Sequence, residues 1–173
     1  VLKYRGVNIN DIVEACEKEN RFGYEEVAYL LLFGKLPNED QLRIFNDLLH
    51  ESRTLPKNFT EDMIIKAPSS DIMNKLGRSV LALYSYDPTP DDISLENVMR
   101  QSIQLIARMP IITAQAYQVK RHYYHNDSMY LHIPPEGLST AEALLYCIRP
   151  DKQYTKEEAR LLDLGMILHA EHG

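Results

Sequence analysis

The chain has 173 residues, 45% hydrophobic and 25% charged, which is the composition of a folded domain. Its 19 Lys and Arg against 25 Asp and Glu leave a net charge of −6, which argues against a nucleic-acid partner held by phosphate neutralisation. The two cysteines, Cys16 and Cys147, exclude a disulfide scaffold and a cysteine-based zinc cluster. No segment reads as a signal peptide or membrane span, so the expected setting is the cytoplasm with no membrane partner.

A short extended piece over 2–5 reaches a turn at Gly6. Asn10 offers a cap for a helix over about 10–19, and residues 24–33 form the next helix, stopped by Gly34 with Pro37 beyond it. Asn38 opens a third helix, in which Leu42, Ile44, Phe45, Leu48 and Leu49 fall at helical spacing. Pro56 breaks the chain, and Thr60 starts a short helix up to Lys66. Ser69 or Ser70 caps a helix carrying Ile72, Leu76, Val80 and Leu83. The run Asp87-Pro88-Thr89-Pro90-Asp91-Asp92 is a loop. Ser94 opens a long helix to about His122, with an interruption expected at Pro110 because proline costs about 3 kcal/mol in a helix interior. After a loop over 126–137, Ser139 or Thr140 caps a helix to Ile148. Thr155 with Glu158 forms a capping box for the last one. The period stays near 3.6 residues almost throughout, so the fold class is all-α, a multi-helix assembly with at most a short extended segment at the N-terminus.

In the last helix Leu161, Leu162, Leu164, Met166, Ile167 and Leu168 surround the axis and mark no single stripe. A helix apolar all round is one meant for burial on every side. The expectation is that further chain follows, and that without it some of these side chains are exposed beyond what their type warrants. Seven glycines with no G-x-G remove the dinucleotide and P-loop fingerprints.

Four segments then carry a resemblance. Tyr4-Arg5-Gly6 followed by Ile9, Asp11 and Ile12 resembles the Y-R-G-x-x-I-x-D-L opening of bacterial citrate synthases. Residues 25–37 are similar to that family's E-E-V-A-Y-L-L-L-F-G-x-L-P, the most specific of the four. Leu105-Ile106-Ala107-Arg108-Met109-Pro110 resembles L-I-A-K-x-P. Glu157 to Gly173 resembles the helix that ends in H-x-[DE]-H-G. They occur in family order from end to end of the chain.

The resemblance implies that residues 1–173 are one helical region, the N-terminal part of the family's large domain. It further implies a homodimeric acyltransferase that condenses acetyl-CoA with oxaloacetate and water to citrate and CoA, the reaction that opens the tricarboxylic acid cycle. A 2-methylcitrate synthase using propionyl-CoA is the alternative on the same framework. No cofactor and no metal are implied. The family's G-P-L-H-G-x-A-N histidine, its histidine after G-x-G and its D-P-R aspartate have no counterpart, since Asp87-Pro88 is followed by Thr89. The small domain and the catalytic half are thus absent, and the stretch alone is expected to be inactive. Ala67-Pro68-Ser69-Ser70-Asp71 also departs from the family's H-P-M-D, at a position that is not catalytic.

Among candidate site residues, His172 matches the final histidine of H-x-[DE]-H-G, which in the family hydrogen-bonds oxaloacetate. An imidazole there can donate to a carboxylate or ketone oxygen. On the residues alone it reads as a terminal histidine in solvent. His169, three residues earlier, reads as a support for the site, or as half of a metal pair that lacks a third ligand. Glu171 reads as a solvated or salt-bridged carboxylate before a general base, and Tyr4-Arg5-Gly6 as a fold-fixing turn before an anion site. His50, His122, His125 and His132 share no spacing that suggests joint chemistry. The homodimer is expected through helices near 71–85 and 94–122, with Leu76, Val80, Ile103, Ile106 and Ala107 as the packing positions. A stand-alone helical oligomerisation or binding module is the competing class, to be separated by whether the reading frame continues past Gly173.

Overall fold

The computed structural model describes residues 2–171. Strands β1 (Lys3–Tyr4) and β2 (Val7–Asn8) pair antiparallel, Lys3 opposite Asn8 and Tyr4 opposite Val7. The two residues between them, Arg5 at φ 48° and Gly6 at φ 87°, are both left-handed, as a two-residue hairpin requires. This hairpin is the one sheet among the described residues, and everything after it is helical or loop.

Helix α1 (Ile9–Glu19) is capped by Asn8, whose side chain accepts from the Asn10 N–H, so Asn10 itself lies inside the first turn. Helix α2 (Tyr24–Phe33) ends at Gly34, which is left-handed at φ 76° and returns its N–H to Leu30 O. Helix α3 (Glu39–Ser52) opens with a reciprocal box between Asn38 and Gln41. The expected short helix after Thr60 is a π-helical turn, Thr60–Ile65. Helix α4 (Ile72–Leu83) is capped by Asp71, with Ser69 bonded to the Asp71 backbone, and neither serine is the cap. A 3₁₀ turn, Tyr84–Tyr86, follows.

Helix α5 (Leu95–His125) is continuous through Pro110, where an interruption was expected. It packs against α3, α4, the π-helical turn and helix α6 (Thr140–Ile148), and that shared packing outweighs the one backbone bond proline removes. Ala107, Ile111, Ile112, Ala114 and Val119 are among its buried residues. Helix α7 (Lys156–Leu168) lies on α6 and α2. Both α6 and α7 open with complete capping boxes, Ser139 with Glu142 and Thr155 with Glu158. No described helix is long and apolar enough to cross a membrane.

The apolar surround of α7 is covered on one side only. Ile167 is fully buried and Leu164 and Met166 are half-buried, but Leu161 is 72% and Leu168 54% exposed. On α4, Met73 and Leu81 are 75% and 77% exposed. Of the positions expected to pack between subunits, Ala107 is buried in this chain's own core against Tyr29, Phe45 and Leu49. Ile103 and Ile106 pack on the same cluster, and Leu76 is half-buried in another. Val80, at 37% exposure, stays on the surface.

The first core cluster joins Tyr4, Ile9, Ile12, Cys16, Val27, Leu30 and Ile167, bringing hairpin, α1, α2 and α7 together. Gly23 sits at this junction because nothing larger fits. A Cβ there would lie 2.5 Å from Cys16 Sγ and 3.1 Å from Ile167 Cδ1. Gly23→Ala is therefore expected to destabilise the fold by about 1–3 kcal/mol. Adding Cys16→Ala should recover part of the loss, because it removes the sulfur that the new methyl strikes. Denaturant unfolding of both single variants and the double variant checks this, and strict additivity would contradict the contact.

Candidate functional site

The C-terminal end of α7 is where the sequence places its strongest candidates. Two long-range contacts hold it. The Tyr4 hydroxyl, fully buried, donates to Ile167 O at 2.7 Å, a last-turn carbonyl that otherwise has only a longer bond from the Ala170 N–H at 3.3 Å. One turn earlier, Asp163 Oδ2 accepts from the Gly23 N–H at 2.8 Å and Oδ1 from the Tyr24 N–H at 3.1 Å. Gly23 has no side chain with which to cap α2, so a carboxylate 140 positions away does it.

Asp163 is 97% buried by surface area, at 3% exposure, and burial pushes its carboxyl up to about 6. The Gly23 and Tyr24 N–H groups pull the other way, and the nearby Glu25 charge adds to the rise. A cavity of about 320 Å³ lies beside it, lined by Cys16, Glu17, Arg21, Arg160, Asp163 and Leu164. Burial raises the Cys16 thiol, so this cysteine is inert packing and not a nucleophile.

His169 terminates α7 and is exposed. Its Nδ1 lies 2.7 Å from Gly165 O. A carbonyl only accepts, so Nδ1 carries a proton and donates. Glu171 is exposed. His172 lies outside the described residues. The Tyr4-Arg5-Gly6 turn does fold-fixing work: beside the Tyr4 bond, Arg5 Nε and Nη2 both donate to Leu31 O near the end of α2.

The remaining histidines are dispersed. His50 Nε2 meets Leu138 O, His122 Nδ1 meets Asp127 O, and His132 Nε2 meets Pro150 O. A cleft of about 1160 Å³ between α3, α5 and the 132–137 loop contains His50 and Arg53, but both are spent on Leu138 O and no α7 residue lines it. Among the described residues no three His, Cys, Asp or Glu side chains gather as a metal site.

Two positioning residues were not singled out from sequence. Asp163 is one. The other is Glu25, buried within the E-E-V-A-Y segment, whose Oε1 takes the Thr140 N–H at 2.6 Å and ties α2 to the start of α6. The one available signal was a helix opening at Gly23-Tyr24 with no capping side chain.

Tyr4→Phe should cost about 1 kcal/mol, the value of a buried hydrogen bond whose acceptor keeps a second, longer bond from the Ala170 N–H, read by thermal or urea unfolding. For Asp163 the sign follows from proton uptake. The unfolded carboxyl titrates near 3.9 and the folded one near 6, so between those values the folded chain holds more protons. Its contribution to stability therefore rises as pH falls from about 7 to 4, by about 3 kcal/mol. Asp163→Asn cannot titrate. The stability difference between parent and variant should move toward the parent by that amount across the window, and a pH-independent difference would show that Asp163 is not buried as a charge.

The whole chain, residues 1–173, matches the family model described as citrate synthase, C-terminal domain. It is 28% identical over 172 residues to the citrate synthase of Saccharolobus solfataricus, covering 99% of this chain and 42% of that protein. It is 26% identical to the citrate/2-methylcitrate synthase of Bacillus subtilis, covering 94% of this chain and 41% of the relative. The crystal structure of citrate synthase from Pyrobaculum aerophilum superposes with a TM-score of 0.81 at 26% identity, over 98% of this chain and 41% of that one. The chain thus spans about two fifths of the length of the relatives it matches. A whole-length family match, together with an all-helical fold shared with a solved citrate synthase, establishes that the chain belongs to the citrate synthase family.

Proposed function

We propose that this chain is part of an enzyme that condenses acetyl-CoA with oxaloacetate to give citrate and free CoA. The observation that carries the reading is the family match over residues 1–173. In this reading the chain is the N-terminal part of the large domain, working in the cytoplasm without a cofactor or metal. A base supplied outside these residues takes a proton from the acetyl methyl, the resulting enolate carbon attacks the oxaloacetate ketone to give citryl-CoA, and water then cleaves its thioester to release citrate and CoA. His172 holds oxaloacetate by donating to an oxygen on which negative charge develops, and His169 supports it. The anchoring of α7 by Tyr4 and Asp163 favours this, since a binding group must sit on a rigid element to be in register with its substrate.

Thiol release from acetyl-CoA in the presence of oxaloacetate tests the reading. The full-length protein is expected to turn over, and the 173-residue stretch alone is not, because loss of whole catalytic groups removes orders of magnitude in rate. His172→Ala in the full-length protein should raise KM for oxaloacetate and lower kcat by about 10²-fold or more. Unchanged kinetics would remove His172 from the site. The name of the Bacillus subtilis relative favours a second reading, propionyl-CoA as a co-substrate, and the same assay run with propionyl-CoA decides between them.

Assembly is part of the proposal. We place the homodimer contact on α4 and the neighbouring stretch of α5, whose exposed Met73, Leu81 and Val98 would otherwise leave apolar surface in water. Leu81→Glu puts a charge in that face without touching this chain's core. It should shift a dimer to monomer in light scattering, and an unshifted dimer would move the interface elsewhere.

A further inference from the structure

A cavity of about 420 Å³ opens between the end of α4, the 3₁₀ turn and the first half of α5. None of its lining residues belongs to α7. Its polar side holds two guanidinium groups and one carboxylate. Arg100 Nη2 donates to both oxygens of Asp87, at 2.7 and 2.9 Å, and to Asn97 Oδ1 at 2.6 Å. Arg100 therefore has its counter-ion.

Arg108, two helical turns further along α5, has none. Its Nε donates to Thr54 O at 3.2 Å and its Nη1 to Gln104 Oε1 at 3.4 Å, while Nη2 finds no acceptor among the described residues. Gln104 Oε1 also takes Arg100 Nη1 at 3.2 Å, so a neutral amide oxygen stands between the two cations where a carboxylate would balance them. Burial first, and then the Arg100 charge, work against the Arg108 cation, and the Asp87 charge offsets them only in part. The other nearby carboxylate, Asp91, is occupied by the Tyr84 hydroxyl at 2.9 and 3.0 Å and does not line the cavity.

The opposite wall is apolar, formed by Val80, Leu83, Leu105 and the ring of Tyr86. The charge count is decisive for the ligand class: two positive groups and one negative leave a single uncompensated positive charge. A monoanion neutralises it, whereas a dianion would carry an excess negative charge beside Asp87, which Arg100 holds in the same cavity. A planar guanidinium with a free N–H edge matches a carboxylate.

We propose that this cavity binds an apolar or aromatic monocarboxylate, with Arg108 as the group that recognises the carboxylate and the Leu83–Leu105–Tyr86 wall taking its body.

The test uses the full-length protein with sodium benzoate as probe, at constant ionic strength, read by thermal shift and calorimetric titration. Benzoate is expected to bind saturably. Acetate, which lacks the body, and phenyl phosphate, which carries the extra charge, should each bind about tenfold or more weakly. Arg108→Gln should weaken benzoate by about tenfold or more, and Arg108→Lys, which keeps the charge and loses the fork, by a smaller factor. Arg43→Gln, on the exposed face of α3, should leave it unchanged, and circular dichroism confirms that each variant is folded. Absence of saturable benzoate binding, equal binding by Arg108→Gln, or tighter binding of phenyl phosphate would each overturn the proposal.

Discussion

The N-terminus of α2 has N–H groups to satisfy and no side chain of its own at the capping position. The solution is a carboxylate from α7, and the arrangement of the molecule's first and last segments depends on it. Once Asp163 is committed to Gly23 and Tyr24, α7 must lie along α2, which places Ile167 against Cys16 and Gly23 and brings its carbonyl to the Tyr4 hydroxyl. The cost is a carboxylate held away from water, visible in its raised pKa. Helix α7 is thereby oriented by hydrogen bonds as well as apolar contact, and hydrogen bonds are directional where apolar contact is not.

The same device recurs elsewhere. Glu25 takes the Thr140 N–H at the start of α6, Gln118 gives its amide to Ile148 O at the end of it, and Arg5 gives two N–H groups to Leu31 O. Lys75, 98% buried at 2% exposure, donates its ammonium to Met63 O and Ala67 O around the π-helical turn. In each case a side chain on one element satisfies a backbone group of another. Helices joined this way cannot slide, because a shift of one residue leaves a buried backbone group unpaired.

These contacts explain why the family motifs look as they do in this chain. Tyr4 and Arg5 in the opening segment, Glu25 in the second and Asp163 in the last are positioning residues, each bonded to the backbone of a different element. The chemistry proposed for the C-terminal end of α7 rests on that frame. The arginine cavity between α4 and α5 is built differently. There an amide stands in for a carboxylate, and the positive charge has no ion-pair partner among the described residues.

Sequence alone determined the helical class and most helix limits. Asn38 with Gln41, Ser139 with Glu142, Thr155 with Glu158, and Gly34 after Phe33 are signals that act over four residues or fewer, and such signals are written in the order of the chain. Where two caps were available the local signal was ambiguous, and the backbone used Asn8 and Asp71 in place of Asn10 and the serines. Tertiary structure decided the rest. It kept α5 whole through Pro110 because α3, α4 and α6 all pack on that helix. It also buried Ala107 inside the chain and covered α7 on the Ile167 side while leaving Leu161 and Leu168 in solvent. And it brought Asp163 to Gly23, a pairing across 140 residues that no periodicity encodes, because it exists only once the helices between them have packed.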